Sequence, residues 1–150
     1  MKKLSLLCAL VLTLVLTGCG EKKLICQYKT TDSFQGDNEV GYKVTFDKND
    51  KPISIAINSK SKYGEKYLES YSVDLDTEIA AAKEFCTELE ATDNVSCSAN
   101  LNNNTITLNV KYNVSKMSDE AKSELGLTEI AELKYADIKT QYEGSGFTCK

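Results

Sequence analysis

The sequence of 150 residues contains no histidine, no arginine and no tryptophan, and two of these absences exclude classes of function. Without histidine, the side chain that most often acts as a general base near neutral pH is missing, so Ser-His-Asp and Cys-His catalysis are excluded. Zinc and copper sites that use histidine are excluded for the same reason. Without arginine, no bidentate guanidinium can hold a phosphate or a carboxylate, and lysine supplies every basic side chain.

The N-terminal segment has the pattern of a lipoprotein signal peptide. A basic start at residues 1–3 precedes an apolar run over residues 4–16, which is shorter than the roughly 20 residues of a transmembrane helix. The run ends in Leu16-Thr17-Gly18-Cys19, a lipoprotein cleavage box. We therefore expect residues 1–18 to be removed and Cys19 to carry a diacylglyceryl thioether. An ordinary signal peptide that is cut nearby is the alternative.

The remaining chain has the length of one domain. Residues 19–23 are expected to be the lipidated cysteine and a short tether, and residues 24–150 a single folded domain. Loss of Lys2 and Lys3 leaves 16 lysines against 22 carboxylates, a net charge of −6. This acidic balance argues against nucleic acid as a partner. The composition does not predict a cofactor.

The cysteines predict two disulfides. Cys8 leaves with the signal peptide and Cys19 takes the lipid, so four cysteines remain, an even number in an exported chain. They are Cys26, Cys86, Cys97 and Cys149. Of the three pairings, we prefer Cys86–Cys97, which joins a helix to the next strand, and Cys26–Cys149, which joins the first strand to the chain's end. No two lie close enough for a C-x-x-C redox motif or a Cys₄ zinc site, so no metal is expected.

The hydrophobic pattern predicts an α+β fold with an antiparallel sheet built from hairpins and helices packed on one face. Alternating apolar residues indicate strands, with the clearest hairpin around residues 47–51. Helical spacing predicts one long helix and shorter helices towards the C-terminus. The predicted strands are 24–30, 40–47, 53–58, 95–101 and 105–114, and the predicted helices are 75–91, 118–126, 128–133 and 135–143.

Residues 67–73 are predicted to form a further strand, because Gly64 and the aromatic and β-branched content favour one. A helix is the alternative, since Tyr63, Tyr67 and Tyr71 are spaced by four residues. These three tyrosines are the strongest candidates for a ligand surface, because tyrosine can stack on a sugar ring or anchor a peptide. The competing interpretation is that they are half-buried packing residues.

The acidic clusters do not form a catalytic or metal-binding pattern. A calcium loop that began at Asp47 would need an oxygen ligand at Lys51 and a glycine at Pro52, so a hairpin turn is predicted there instead. Asp74 and Asp76 lie two residues apart and do not face each other on a helix. They are predicted to cap the helix N-terminus.

Five stretches together resemble the YehR-like family of small bacterial lipoproteins. They are the box at Leu16–Cys19, the hairpin around Asp47–Lys51, Asn94-Val95-Ser96-Cys97, Val110-Lys111-Tyr112, and the closing Tyr142–Thr148. The four cysteines depart from members that lack them. The resemblance implies an α+β fold and an envelope location. It carries over no functional residue except Cys19, because the activity of the family is uncharacterised.

These patterns predict a non-enzymatic lipoprotein of the cell envelope, anchored to the extracytoplasmic face of the membrane through Cys19. Its partner would be an envelope polysaccharide or protein. The first alternative is a small envelope hydrolase that uses carboxylates. The second is an accessory solute-binding subunit, although 132 mature residues are few for two lobes that close on a ligand.

Overall fold

The computed structural model describes residues 21–150 and shows an α+β fold, as the sequence predicts. The predicted signal peptide and Cys19 lie outside the described residues. One six-stranded antiparallel sheet has the order β4-β5-β3-β2-β1-β6. The strands are β1 (Lys22–Asp32), β2 (Gly36–Phe46), β3 (Pro52–Tyr63), β4 (Val95–Asn102), β5 (Thr105–Tyr112) and β6 (Thr148–Cys149). The helices are α1 (Glu65–Tyr71), α2 (Leu75–Glu90), α3 (Asp119–Glu124), α4 (Thr128–Glu132) and α5 (Tyr135–Gly144).

Period-two alternation places the apolar side chains of the long strands on one face of the sheet. Leu24 pairs with Val44, which pairs with Ile55, and Ile55 pairs with Tyr112 in the neighbouring strand. Directly paired residues point to the same face, so this register gathers the core side chains of β1 to β5 on a single side. The helices cover that side, as predicted.

Two groups of buried residues form the core. The larger group lies under α4 and α5, where Ala131 and Ile138 pack on Leu24, Val44 and other residues of the central strands. The smaller group lies under α2, where Ile79 and Cys86 pack on Ala99 of β4. Both groups use the same face of the sheet, and no helix or strand within residues 21–150 forms a layer over the opposite face.

Strand β1 begins at Lys22, so two lysines assigned from the sequence to the tether are strand residues. The Lys22 ammonium lies 3.0 Å from a carboxylate oxygen of Asp50 and 4.2 Å from the centre of the Tyr135 ring. Both contacts hold the start of β1 against the β2–β3 turn and α5.

The prediction of a strand over residues 67–73 is wrong. Glu65–Tyr71 form helix α1, which begins directly after Gly64. Ser72 takes a left-handed conformation, φ 52°, and its N–H bonds to the carbonyl of Glu69, which ends the helix. The spacing of four residues between the tyrosines therefore indicates the helix correctly. The aromatic content favours a strand, but in the structure these rings pack on one another from a helix.

Both predicted disulfides are confirmed. Cys26–Cys149 joins paired residues of β1 and β6 and closes a loop with a sequence separation of 123. Cys86–Cys97 joins α2 to β4 with a separation of 11. Two disulfides are typical of a chain that folds in an oxidising, extracytoplasmic compartment.

Removal of the long-loop disulfide should cost more stability than removal of the short-loop one. In the chain-entropy model the loop closed by Cys26–Cys149 is worth about 5 kcal/mol and that closed by Cys86–Cys97 about 3 kcal/mol. We expect the double variant Cys26→Ala/Cys149→Ala to lose more unfolding free energy in guanidinium titrations than Cys86→Ala/Cys97→Ala. Cys26 and Cys86 are both buried, so the two variants lose similar packing. A larger loss in Cys86→Ala/Cys97→Ala would show that loop length is not the main determinant of the stability that each disulfide contributes.

Tyr142 on α5 packs against Tyr42, with ring centres 4.7 Å apart, and burial raises the pKa of Tyr142 to about 12. In the unfolded chain the pKa returns to its ordinary value of 10.0. Between these two values the folded state holds a proton that the unfolded state has released, so its contribution to stability is complete below pH 10 and is lost as the pH approaches 12.

The Tyr142→Phe variant should therefore lose less unfolding free energy between pH 10 and pH 12 than the unaltered protein. Denaturant titrations at both pH values measure this difference. Tyr71→Phe is the matched control, because the ring of Tyr71 is exposed. An equal loss in all three proteins would show that Tyr142 does not titrate in this way.

Candidate functional site

The uncovered face of the sheet is the principal candidate site. We call it the open face, defined by the residues of β1 to β5 whose side chains point away from the helices. It contains a concavity of about 540 Å³ at its centre. A second concavity of about 520 Å³ adjoins it towards the N-terminal end of β1 and shares Lys43, Ala56 and Lys111 with the first.

A row of polar residues crosses the middle of the open face. Successive strands place Gln27, Gly41, Asn58, Asn109 and Ser98 side by side in the register. The Asn58 amide donates a hydrogen bond of 2.6 Å to the Asn109 Oδ1, and the Asn109 amide approaches the Ser98 hydroxyl at 3.5 Å. Each amide group carries two N–H donors, so the row can also donate to a ligand that lies along it. We call it the amide row.

Gly41 interrupts the amide row with a position that has no side chain. A Cβ built there would meet only backbone oxygens, those of Asn58 at 3.9 Å and Cys26 at 4.0 Å. These are ordinary van der Waals contacts, so neither packing nor backbone conformation requires glycine. A glycine inside a strand weakens the strand and often marks a close approach by a ligand.

Lysines flank the amide row on both sides. Towards the start of β1, the next row contains Lys43 and Lys111, with Ala56 between them. On the other side, the row contains Lys29 and Lys60, with Glu39 between them. Each pair of lysines is separated by one intervening strand, a spacing of about 10 Å.

The charge on the open face is opposite in sign to that of the rest of the protein. Its strand positions carry six lysines and two carboxylates: Lys23, Lys29, Lys43, Lys60, Lys62, Lys111, Asp37 and Glu39. The other described residues carry 10 lysines against 20 carboxylates. An acidic protein therefore presents one basic surface, which the net charge of the chain conceals.

The tyrosines predicted as a ligand surface lie elsewhere. Tyr63 ends β3 on the helix side of the sheet, and Tyr67 and Tyr71 follow on α1. The ring centres of Tyr67 and Tyr71 are 5.0 Å apart and those of Tyr63 and Tyr67 are 6.3 Å apart. The structure thus brings all three together, and burial together with nearby Glu78 raises the pKa of Tyr63.

Phe34 completes this aromatic cluster and was missed from the sequence. Its ring centre lies 5.9 Å from that of Tyr67 and 6.2 Å from that of Tyr71. Tyr71 is 65% exposed and Phe34 is 38% exposed. The one indication of its role in the sequence is that Phe34 is a single aromatic residue within an otherwise polar turn. Lys60 and Lys62 are close to Tyr63 in the sequence but belong to the open face, so the sheet separates them from the aromatic cluster.

The carboxyls whose pKa is lowered have structural roles. Backbone N–H groups of Gln35 and Phe34 bond to Asp32, and the N–H of Lys51 bonds to Asp47, as expected for turns. Asp74 accepts from the Thr77 hydroxyl and the Asp76 N–H, which confirms it as the N-cap of α2. Within residues 21–150, no group of three or more acidic or cysteine side chains is arranged to hold a metal ion.

Comparison with protein-family models and with curated proteins finds no match to the chain. Among solved structures, the chain is similar to an NMR structure of a protein from Streptococcus pneumoniae TIGR4. The TM-score is 0.56 over 86% of each chain, at 12% sequence identity. At this identity the likeness supports the fold alone. In the described part of the chain, no helix is long and apolar enough to cross a membrane.

The exposure of the aromatic cluster gives a test of whether its rings serve packing. Tyr71→Ala should change the unfolding free energy by less than about 1 kcal/mol, because most of the ring is already in water. Tyr67→Ala should cost about 1–3 kcal/mol, because Tyr67 lies between the three other rings. Denaturant titrations measure both values. A large loss in both variants would make the cluster a packing unit and remove the reason to assign it to a ligand.

Proposed function

We propose that the mature protein is a non-enzymatic binding module, anchored by a lipid on Cys19 to the extracytoplasmic face of the cell membrane. It binds its ligand with the open face of the sheet. The concave open face is the observation that carries the binding role, because it gathers amide and lysine side chains around one concavity, which is more than a water-compatible sheet face requires.

The location is supported by the sequence and by the disulfides together. The box Leu16-Thr17-Gly18-Cys19 follows a basic start and a short apolar run, the arrangement that lipoprotein export requires. The four remaining cysteines form two disulfides, which persist in oxidising compartments. Because β1 begins at Lys22, only a few residues separate the proposed lipid from the sheet.

A second surface, the aromatic cluster, supports a protein or polysaccharide partner. It lies near the far end of β1 from the proposed lipid, and a strand of 11 residues spans about 35 Å. An exposed pair of rings at that distance would face away from the membrane. The proposed hydrolase has less support, because Asp74, the first of its candidate carboxylates, serves as a helix cap.

Replacement of the proposed lipidation site should release the protein from membranes. We expect Cys19→Ala, expressed in the natural host, to leave the membrane fraction, and the unaltered protein to show by intact mass both the loss of residues 1–18 and an added diacylglyceryl group. Cys8→Ala is the matched control, because it removes a cysteine of the same segment and should leave anchoring unchanged. An unlipidated, membrane-free wild-type chain would overturn the proposed location.

A further inference from the structure

We propose that the open face binds a linear polyanion of the cell envelope, a chain of polyol or sugar units joined by phosphodiester groups. This inference rests on the proposed binding role of the open face and names its ligand. It does not depend on the lipid at Cys19.

The sign of the ligand's charge follows from the local charge of the face. Six lysines against two carboxylates give the open face a positive potential within a protein whose other described residues are strongly acidic. A polyanion is attracted to this face and repelled by the helix side, so the charge distribution also orients the encounter. We choose phosphodiester as the anionic group because lysine is a common phosphate ligand, which it binds as a point charge; the absence of arginine removes bidentate contacts to phosphate and carboxylate alike.

The spread of the lysines indicates a chain rather than a small ion. Lys43 and Lys111 lie about 10 Å apart across one intervening strand, and Lys29 and Lys60 form a second such pair on the other side of the amide row, so one phosphate group cannot contact all four lysines. Lys43 and Lys111 stand in a row parallel to the amide row, so successive charges of one extended ligand can reach both. The direction of the bound chain is then across the strands, along the floor of the concavity.

The amide row suits the uncharged part of such a ligand. The side chains of Gln27, Asn58, Asn109 and Ser98 donate and accept hydrogen bonds, which matches hydroxyl groups between the phosphates. Gly41 leaves room for the backbone of the ligand to approach the sheet. The strand positions of the open face carry no aromatic residue on which bases could stack, which disfavours single-stranded nucleic acid.

The test is titration calorimetry of the mature protein, purified from membranes in non-ionic detergent with both disulfides intact. The probes are a synthetic glycerol phosphate oligomer, neutral dextran of similar length, oligo-deoxythymidine, and vesicles that contain phosphatidylglycerol. We expect the oligomer to bind, the dextran to bind at least about tenfold more weakly, and the affinity for the oligomer to fall as salt screens the lysines.

Matched variants locate the site. Lys43→Gln/Lys111→Gln should weaken binding of the oligomer about tenfold, while Lys66→Gln/Lys83→Gln, which removes the same charge from the helices, should change it less than about twofold. Gly41→Gln should weaken it several-fold by filling the gap in the amide row. Glu39→Gln should strengthen it, because the carboxylate between Lys29 and Lys60 opposes an anionic ligand. A gain of affinity cannot come from damage to the fold.

The possible failures are distinct. If dextran and the oligomer bind equally and the lysine variants change neither, while Gly41→Gln weakens both, the open face is a binding site but not one for polyanions. If vesicles or oligo-deoxythymidine bind more tightly than the oligomer, the choice of ligand is wrong. If none of the four probes binds, the inference that the open face takes a polyanion is overturned.

Discussion

Alternation along the five long strands is the constraint on which the rest of this structure depends. Because every apolar strand residue of the two core groups points to the same side, one face of the sheet must be covered by helices and the other must be compatible with water. The core, the placement of the two disulfides and the open face all follow from this division. The amide row is the polar counterpart of the core. Asn109 and Asn58 are next in sequence to Val110 and Ile57, so they point to the opposite face of the sheet.

Local patterns allowed much of the fold to be predicted. The hairpins, the long helix with its Asp74 cap and both disulfide pairings follow from spacing, turn residues and even cysteine number. Helix α1 could not be predicted securely, because its seven residues are too few for a clear period and its tyrosines favour a strand. In the structure this helix packs on Phe34, a residue of the β1–β2 turn that is distant in sequence.

The open face could not be predicted, for a different reason. Asn58 and Asn109 are 51 residues apart, and they meet because β5 pairs with β3 on the side away from β4, its neighbour in sequence. The same crossover brings Lys111 to the row of Lys43. The acidic net charge of the chain does not reveal that strand order collects basic residues on one surface.

The bond between Cys26 and Cys149 also has a mechanical consequence. If the protein is held at Cys19 while its ligand is pulled away, force enters the domain at the start of β1 and would peel that strand from β2 by breaking hydrogen bonds one after another. Peeling can proceed from Lys22 only as far as Cys26. Beyond that point the C-terminal segment shares the load through a covalent bond. The disulfide would thus strengthen the domain against traction applied at the proposed anchor, Cys19.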